Sequence, residues 1–330
     1  MGAFALRFDF RNPEFAGTPM ESRYESALAM TEWADRLGFT SVLLSEHHGS
    51  EDGYLPSPLT MAAAIAARTS RIRIQMAALV APFYDPLRLA EDIAVVDLLS
   101  KGRLDVVLAA GYVTQEFAMF GRNMSERANH MTEVVTTLKQ AWIGESFEFR
   151  GRVVQVRPTP AQAGGPKVVL GGSGPRAARR AASIADGFLP TDESIWAIYR
   201  DEMRNLGKPD PGPYVGGDTS AFHLAHDIEE GWRDYAPYAM HELNAYGAWL
   251  TDAGLGVGGS YVPTEDVDLM RASGQYRVVT PEELVVEIDA KGDAGFTMFH
   301  PMAGGVPPAM AWDSLRLFEH EVLPKLRDFT

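Results

Sequence analysis

The chain has 330 residues, which at about 150 residues per domain means two domains or one large α/β barrel. Apolar residues make up 46% and charged residues 22%, with no low-complexity tract, so intrinsic disorder is excluded for most of the chain and a sizeable core is expected. Lys and Arg number 30 against 44 Asp and Glu, and the net charge of −14 repels phosphate backbones and anionic lipid, so neither nucleic acid nor a membrane is an expected partner.

Short apolar runs bounded by turn residues alternate with longer amphipathic stretches, the pattern of βα units around a parallel sheet. The first strand is expected over Phe4–Phe10. A helix follows from Met20 to Leu37, with Tyr24, Ala27, Leu28, Ala34 and Leu37 on one face and Gly38 as its C-cap. The second strand, Ser41–Leu44, runs into Ser45-Glu46-His47-His48-Gly49. The next unit is a helix over Pro58–Ala67 and a strand over Ile72–Ala77. The third helix starts at an Asp85 cap with Pro86 in its first turn, carries a core stripe of Leu87, Ile93, Val96 and Leu99, and stops at Gly102. Strand four is Leu104–Ala109. A loop from Gly111 through Glu116 and Phe120 leads to a helix over Ser125–Ile143, and Phe147–Val156 reads as a hairpin decorating the outside.

Strand five, Lys167–Leu170, feeds into Gly171-Gly172-Ser173-Gly174-Pro175-Arg176 and the helix Ala177–Ala185. Strand six is Gly187–Leu189, a helix covers Ser194–Leu206, and strand seven is Ser220–Leu224. About seventy residues then separate it from the last strand, Thr297–His300, more than one helix and two loops require. An insertion is expected there, over about residues 245–275. Its core, Gly254–Gly259, has four glycines in six positions, and both a lid and a disordered loop are open readings. A final helix, Met310–Leu326, completes eight strand–helix pairs. The expected fold is a single-domain TIM (β/α)8 barrel over residues 1–330 with an insertion before the last strand. A doubly wound open sheet fits less well, because no Gly-x-Gly-x-x-Gly follows the first strand.

Parallel sheets place chemistry at the C-terminal ends of their strands. There the sequence offers Glu46, His47, His48, Glu116 and His300, and otherwise small residues. Ala77-Ala78, Ala109-Ala110-Gly111 and Gly171-Gly172 leave room for a large flat ligand to lie against backbone. Gly171–Arg176 opens a helix, so its amides, the helix dipole, Ser173 and Arg176 can converge on a phosphate, although a plain glycine turn is the alternative. Adjacent histidines after a strand point to opposite faces and seldom share a metal, so no metal site is expected. A near-neutral imidazole in an apolar mouth instead suits proton transfer. His48, His130, His223, His226, His241 and His320 read as ordinary satisfied histidines. The absence of cysteine excludes disulfides, thiolate metal sites and a cysteine nucleophile. Arg7 and Asp9 interrupt any signal-peptide core, and Leu6 stands where a myristoylation signal wants Ser or Thr. A cytoplasmic protein is expected.

Taken in order, these motifs resemble the bacterial luciferase-like flavin-dependent monooxygenases. The resemblance lies in Ser45–Gly49, Ala77–Pro82, Asp85–Asp92, Leu99–Arg103, Gly111–Gly121, Gly171–Gly174 and Ala185–Gly187, over about residues 1–190, with a looser echo in His300–Pro324. It implies a TIM barrel using dissociable reduced FMN from a separate NAD(P)H:flavin reductase. Molecular oxygen would oxygenate a small organic substrate through a peroxyflavin. His47 matches the family's catalytic histidine, and His48, Tyr112 and His300 are candidates for the substrate pocket. Ala77, Ala78, Ala110, Gly111, Glu116, Gly171, Gly172, Ser173, Gly174 and Arg176 fall at cofactor-binding positions, and Ala77-Ala78 matches a frequent non-prolyl cis peptide. In luciferase itself an arginine follows strand four, where this chain has Ala110, so Arg176 is the candidate phosphate partner. That departure keeps open a deazaflavin-dependent hydride-transfer enzyme. A non-catalytic flavin-binding protein is the alternative of another class. Family members are commonly homodimers.

Overall fold

The computed structural model describes residues 2–216, 220–255, 261–293 and 295–326. In chain order the elements are β1 (Ala3–Phe8), α1 (Met20–Leu37), β2 (Ser41–Leu44), α2 (Pro58–Arg68), β3 (Arg73–Val80), α3 (Pro86–Ser100), β4 (Leu104–Ala109), α4 (Thr114–Met119), α5 (Arg127–Ala141), β5 (Phe147–Phe149), β6 (Arg152–Val154), β7 (Val168–Gly172), α6 (Pro175–Ile184), β8 (Gly187–Pro190) and α7 (Glu193–Asn205). After these come β9 (Ala221–Leu224), α8 (Ile228–Asp252), α9 (Val267–Ser273), β10 (Tyr276–Val279), α10 (Pro281–Lys291), β11 (Phe296–Phe299) and α11 (Pro308–Leu317). They divide into two compact units, Met1–Leu43 with His47–Pro56 and Gly217–Thr330, and Leu44–Glu46 with Ser57–Gly216.

In the first unit β1 lies between β11 and β2, and its parallel register with β11 runs from Ala3 opposite Phe296 to Leu6 opposite Phe299. A separate parallel pair joins β9 to β10. Four phenylalanines close the core: Phe4 on β1, Phe39 beyond the left-handed Gly38 turn, Phe299 on β11 and Phe318 beyond α11. All six pairs of ring centroids lie between 4.7 and 6.3 Å. Such contacts add about 0.5–1.5 kcal/mol per pair beyond apolar burial, and they tie the first strand to the last helix. Arg23 on α1 is fully buried, and its guanidinium donates to the carbonyls of Met302, Gly305 and Val306, each at 3.1 Å.

In the second unit the parallel order is β3, β4, β7, β8, and β5 and β6 form the expected antiparallel hairpin. The β3–β4 register slips between Ala77 and Leu79, and the Ala77–Ala78 peptide bond is cis. The Asp85 carboxylate caps α3, accepting from the amides of Leu87 and Arg88 at 3.0 and 3.2 Å.

Several expectations are corrected. Glu116 lies in a helix, α4, rather than a loop, because six residues are too few to display a helical period. Leu99 is 48% exposed; the buried face of α3 runs through Leu89, Ala90, Ile93, Ala94 and Val96. Lys101, not Gly102 alone, takes the left-handed turn that ends α3. The expected insertion holds a long helix (α8), a short one capped by Asp266 (α9) and a strand missed from the sequence (β10). Its glycine-rich centre from 256 onward lies outside the described residues.

Candidate functional site

The second unit presents little side chain at its strand ends. Ala77, Ala78, Ala110, Gly111, Gly171 and Gly172 are all half-buried, whereas Ile74, Met76, Leu104 and Leu108 on the same strands are fully buried. The result is a strip of accessible backbone. At Gly111, where φ is +75°, a Cβ would sit 2.8 Å from Val80 and 3.0 Å from Phe117, so only glycine fits. Glu116 is buried beside Phe117, which packs edge-on against Phe83 at 4.9 Å. The Glu46 carboxylate holds the start of the next loop, accepting from the Val80 amide and the Tyr84 hydroxyl, both at 2.7 Å. Burial and the Glu46 charge push the Tyr84 phenol far up, so it stays a neutral donor.

Beyond β7, Gly172 packs on Ala177, and a Cβ there would come within 2.5 Å of that side chain; at Gly174 the space is open. The α6 N-terminus carries no side-chain cap, and Ser173 and Arg176 are both exposed. An uncapped helix start with a guanidinium in its first turn is an arrangement that accepts an anion.

The first unit is the opposite in character. His47 follows β2, with its amide donating to the Leu55 carbonyl at 3.2 Å and the residue 8% exposed. Its imidazole lies 4.2 Å from the Trp249 ring, tilted by 31°, and meets the ring of Tyr54 edge-on at 4.8 Å. The guanidinium of Arg11, fully buried, lies 4.6 Å from the Trp249 ring, 4.7 Å from Tyr246 and 4.9 Å from Tyr54. Tyr54 and Tyr246 share a hydrogen bond between hydroxyls at 2.8 Å, and Arg7 donates to the Tyr246 hydroxyl at 3.1 Å.

A desolvated cation needs counter-charge, and Arg11 has two: it pairs with Asp52, and its Nε lies 3.9 Å from Asp9. His241 binds the same Asp52 oxygen at 2.8 Å. Burial alone would raise the Asp52 carboxyl, but the His241 hydrogen bond and the Arg11 charge hold it down at about 2. His300 is 3% exposed, with Nε2 3.4 Å from Asp9 and Nδ1 3.8 Å from Glu242. Burial keeps Glu242 above the usual carboxylate range, whereas for Asp9 the burial penalty is outweighed by His300 and Arg11, which draw it below that range.

Of the sequence-derived candidates, His48 and Tyr112 are half-buried, and His300 belongs to a buried acidic cluster rather than to an accessible wall. His226 and His320 are exposed rather than core residues. Arg11, Asp52, Trp249, Tyr54 and Tyr246 were missed. Arg7, Asp9 and Arg11 alternate at the end of the first strand, and Glu242, Tyr246 and Trp249 are spaced as one helix face; those two patterns were the available signals.

The family profile described as luciferase-like monooxygenase matches residues 7–295. The F420-dependent glucose-6-phosphate dehydrogenase of Microbacterium testaceum is 27% identical over 326 residues, covering 89% of this chain and 91% of that one. The FMNH(2)-dependent dimethylsulfone monooxygenase of Pseudomonas fluorescens is 24% identical, covering 99% and 96%. An uncharacterized protein of Sinorhizobium fredii is 36% identical over 126 residues, and there the match spans about a third of either chain, 38% of this one and 36% of that one. Among solved structures, the monooxygenase RslO1 of Streptomyces bottropensis is similar with a TM-score of 0.73 and 27% identity, covering 98% of this chain and 99% of that one. The chain belongs to the luciferase-like monooxygenase family, whose relatives are flavin-dependent monooxygenases and F420-dependent dehydrogenases, and it is an α/β oxidoreductase of that kind. No helix among the described residues is long and apolar enough to cross a membrane.

Proposed function

We propose that this member of the luciferase-like monooxygenase family oxygenates a small organic molecule with molecular oxygen and reduced FMN delivered by a separate NAD(P)H-dependent reductase. The observation that carries the reading is the setting of His47, an imidazole 8% exposed with the Trp249 ring 4.2 Å away and Tyr54 at its edge. A proton-handling group kept dry suits oxygenation, where water at the reacting atoms diverts the reaction into side products.

The residues of the second unit fit the cofactor. The half-buried strip of Ala77, Ala78, Ala110, Gly111, Gly171 and Gly172 suits a flat ring resting on backbone. The amides of Gly172–Gly174, with Ser173 and Arg176 at an uncapped helix start, suit its phosphate. Reduced FMN supplies the electrons that activate oxygen. His47 gives or takes the proton, Glu46 fixes the Val80 loop, and Glu116 is a cofactor-side acid. His48 and Tyr112 contribute to the substrate wall. A homodimer is part of the same proposal.

A deazaflavin-dependent hydride transfer is the second reading. It is favoured by the near full-length similarity to an F420-dependent dehydrogenase and by Ala110 standing where luciferase has an arginine. Anaerobic titration with reduced FMN and reduced deazaflavin, followed by admission of air, separates the two. Tighter binding of reduced FMN and product oxygenation in air support the proposal; preference for the deazaflavin and indifference to air overturn it. A flavin carrier without turnover would show no substrate conversion with either.

A further inference from the structure

Asp9 follows β1, Glu242 lies in the middle of α8 and His300 follows β11. These three separated stretches of the first unit bring one carboxylate oxygen, a second carboxylate oxygen and an imidazole nitrogen within 4.8 Å of one another. The side chains are between 0% and 2% exposed. Despite that burial, Asp9 Oδ2, Glu242 Oε2 and both ring nitrogens of His300 make no hydrogen bond of good geometry, their nearest opposite charges being His300 Nε2 at 3.4 Å and Arg11 Nε at 3.9 Å from Asp9, and His300 Nδ1 at 3.8 Å from Glu242. The phenol oxygens of Tyr235 and Tyr276, both buried and both electrostatically coupled to Glu242, are unsatisfied as well. A dry interior rarely leaves so many polar atoms unmatched, because each costs about 1–3 kcal/mol, and such a concentration calls for something between them.

We propose that Asp9, Glu242 and His300 form a binding site for one divalent metal ion of borderline hardness. Two carboxylate oxygens with one imidazole nitrogen are a donor set for Zn(II), Mn(II) or Fe(II) rather than for an alkali cation. Metal–ligand bonds of about 2.1 Å place neighbouring tetrahedral ligands about 3.4 Å apart. The Asp9 Oδ2 to His300 Nε2 separation is 3.4 Å, so that edge is already in place. Glu242 lies nearest the other ring nitrogen, 3.8 Å from Nδ1, and with the donor atoms within 4.8 Å of one another it must close by up to about 1.4 Å to complete the set on a single nitrogen.

The site is independent of the flavin reading and of His47. It departs from the sequence expectation of no metal, which rests on the adjacent pair His47-His48, because only folding brings Glu242 to His300.

The test is isothermal titration of chelator-treated full-length protein with Zn(II) and with Mn(II), together with thermal melts. Saturable binding of one ion per chain is expected, with a rise in Tm of about 4 °C at a hundredfold excess over Kd. His300→Ala and Glu242→Gln should weaken it at least tenfold. His226→Ala, which removes the exposed imidazole 3.2 Å from Glu321, should leave it unchanged. No saturable binding, or binding that survives His300→Ala, overturns the site. Should those variants not fold, the anomalous signal of Mn(II) in wild-type crystals decides: a peak among Asp9, Glu242 and His300 supports the site, and ions confined to the surface overturn it.

Discussion

The two units treat their strand ends in opposite ways. In the first, the ends of β1, β2 and β11 carry Asp9, Arg11, His47 and His300, all buried. In the second, the ends of β3, β4 and β7 carry alanine and glycine, half-buried, with the buried carboxylates Glu46 and Glu116 nearby and Arg176 exposed. A charge taken out of water must be matched, so each one recruits partners from elsewhere: Arg11 draws in Asp52, Tyr246 and Trp249, and Asp52 draws in His241. Small residues recruit nothing and leave backbone accessible. The difference teaches that the first unit knits its charges into a network in a dry interior, while the second leaves backbone accessible at its strand ends.

If that contrast holds, breaking it in the first unit should cost stability and breaking it in the second should cost only binding. The largest effect is expected for Arg11→Ala, which removes the guanidinium from Asp52, leaving it His241, and loosens Asp9 in a dry interior. About 3–5 kcal/mol of stability should be lost in denaturant melts. A loss under about 1 kcal/mol would mean that the cluster is hydrated and the contrast illusory.

Next is His47→Ala, expected to lower turnover by about 10²–10⁴-fold while leaving cofactor affinity within a few fold, as read by steady-state rates and cofactor titration. Unchanged turnover would remove His47 from the chemistry.

Acid sharpens the comparison through Asp52. Its folded value of about 2 lies below the ordinary 3.8, so the folded state gains from its ionisation above about pH 4 and loses that gain as the pH falls towards 2. The contribution is on the order of 2 kcal/mol. In Asp52→Asn the stability should fall less steeply between pH 4 and pH 2; an unaltered slope would assign the acid sensitivity elsewhere.

Arg176→Ala should weaken cofactor binding about tenfold or more, the worth of a charge-assisted hydrogen bond, without touching Tm or the pH profile. Undiminished affinity would remove the phosphate role. The smallest effect is expected for Arg73→Gln. Its pair with Asp105 is 43% and 37% exposed, and water screening limits the loss to under about 1 kcal/mol in the same melts.

The sequence by itself determined the parts of this protein whose physics is local. Asp85 and Pro86 start a helix because a carboxylate and a fixed φ act on the next three residues. Gly38 ends one because only its own backbone must turn. The alternation of apolar runs and amphipathic stretches marks the strands and helices because burial has the period of each element. His47, the alanine–glycine strand ends and Gly171–Arg176 were legible for the same reason: each is a contiguous motif.

What only tertiary structure decided is what depends on neighbours distant in the chain. Tyr276–Val279 is a strand because it pairs with Ala221–Leu224, and four residues without a partner have no period of their own. His300 reads as a free pocket residue until Asp9 and Glu242, 291 and 58 positions away, are brought against it. Trp249 sits on a helix face like any other aromatic until folding lays it on His47. Burial of charge is a property of the folded interior, and it is the interior that turns Arg11 from one residue at a strand end into the centre of a network.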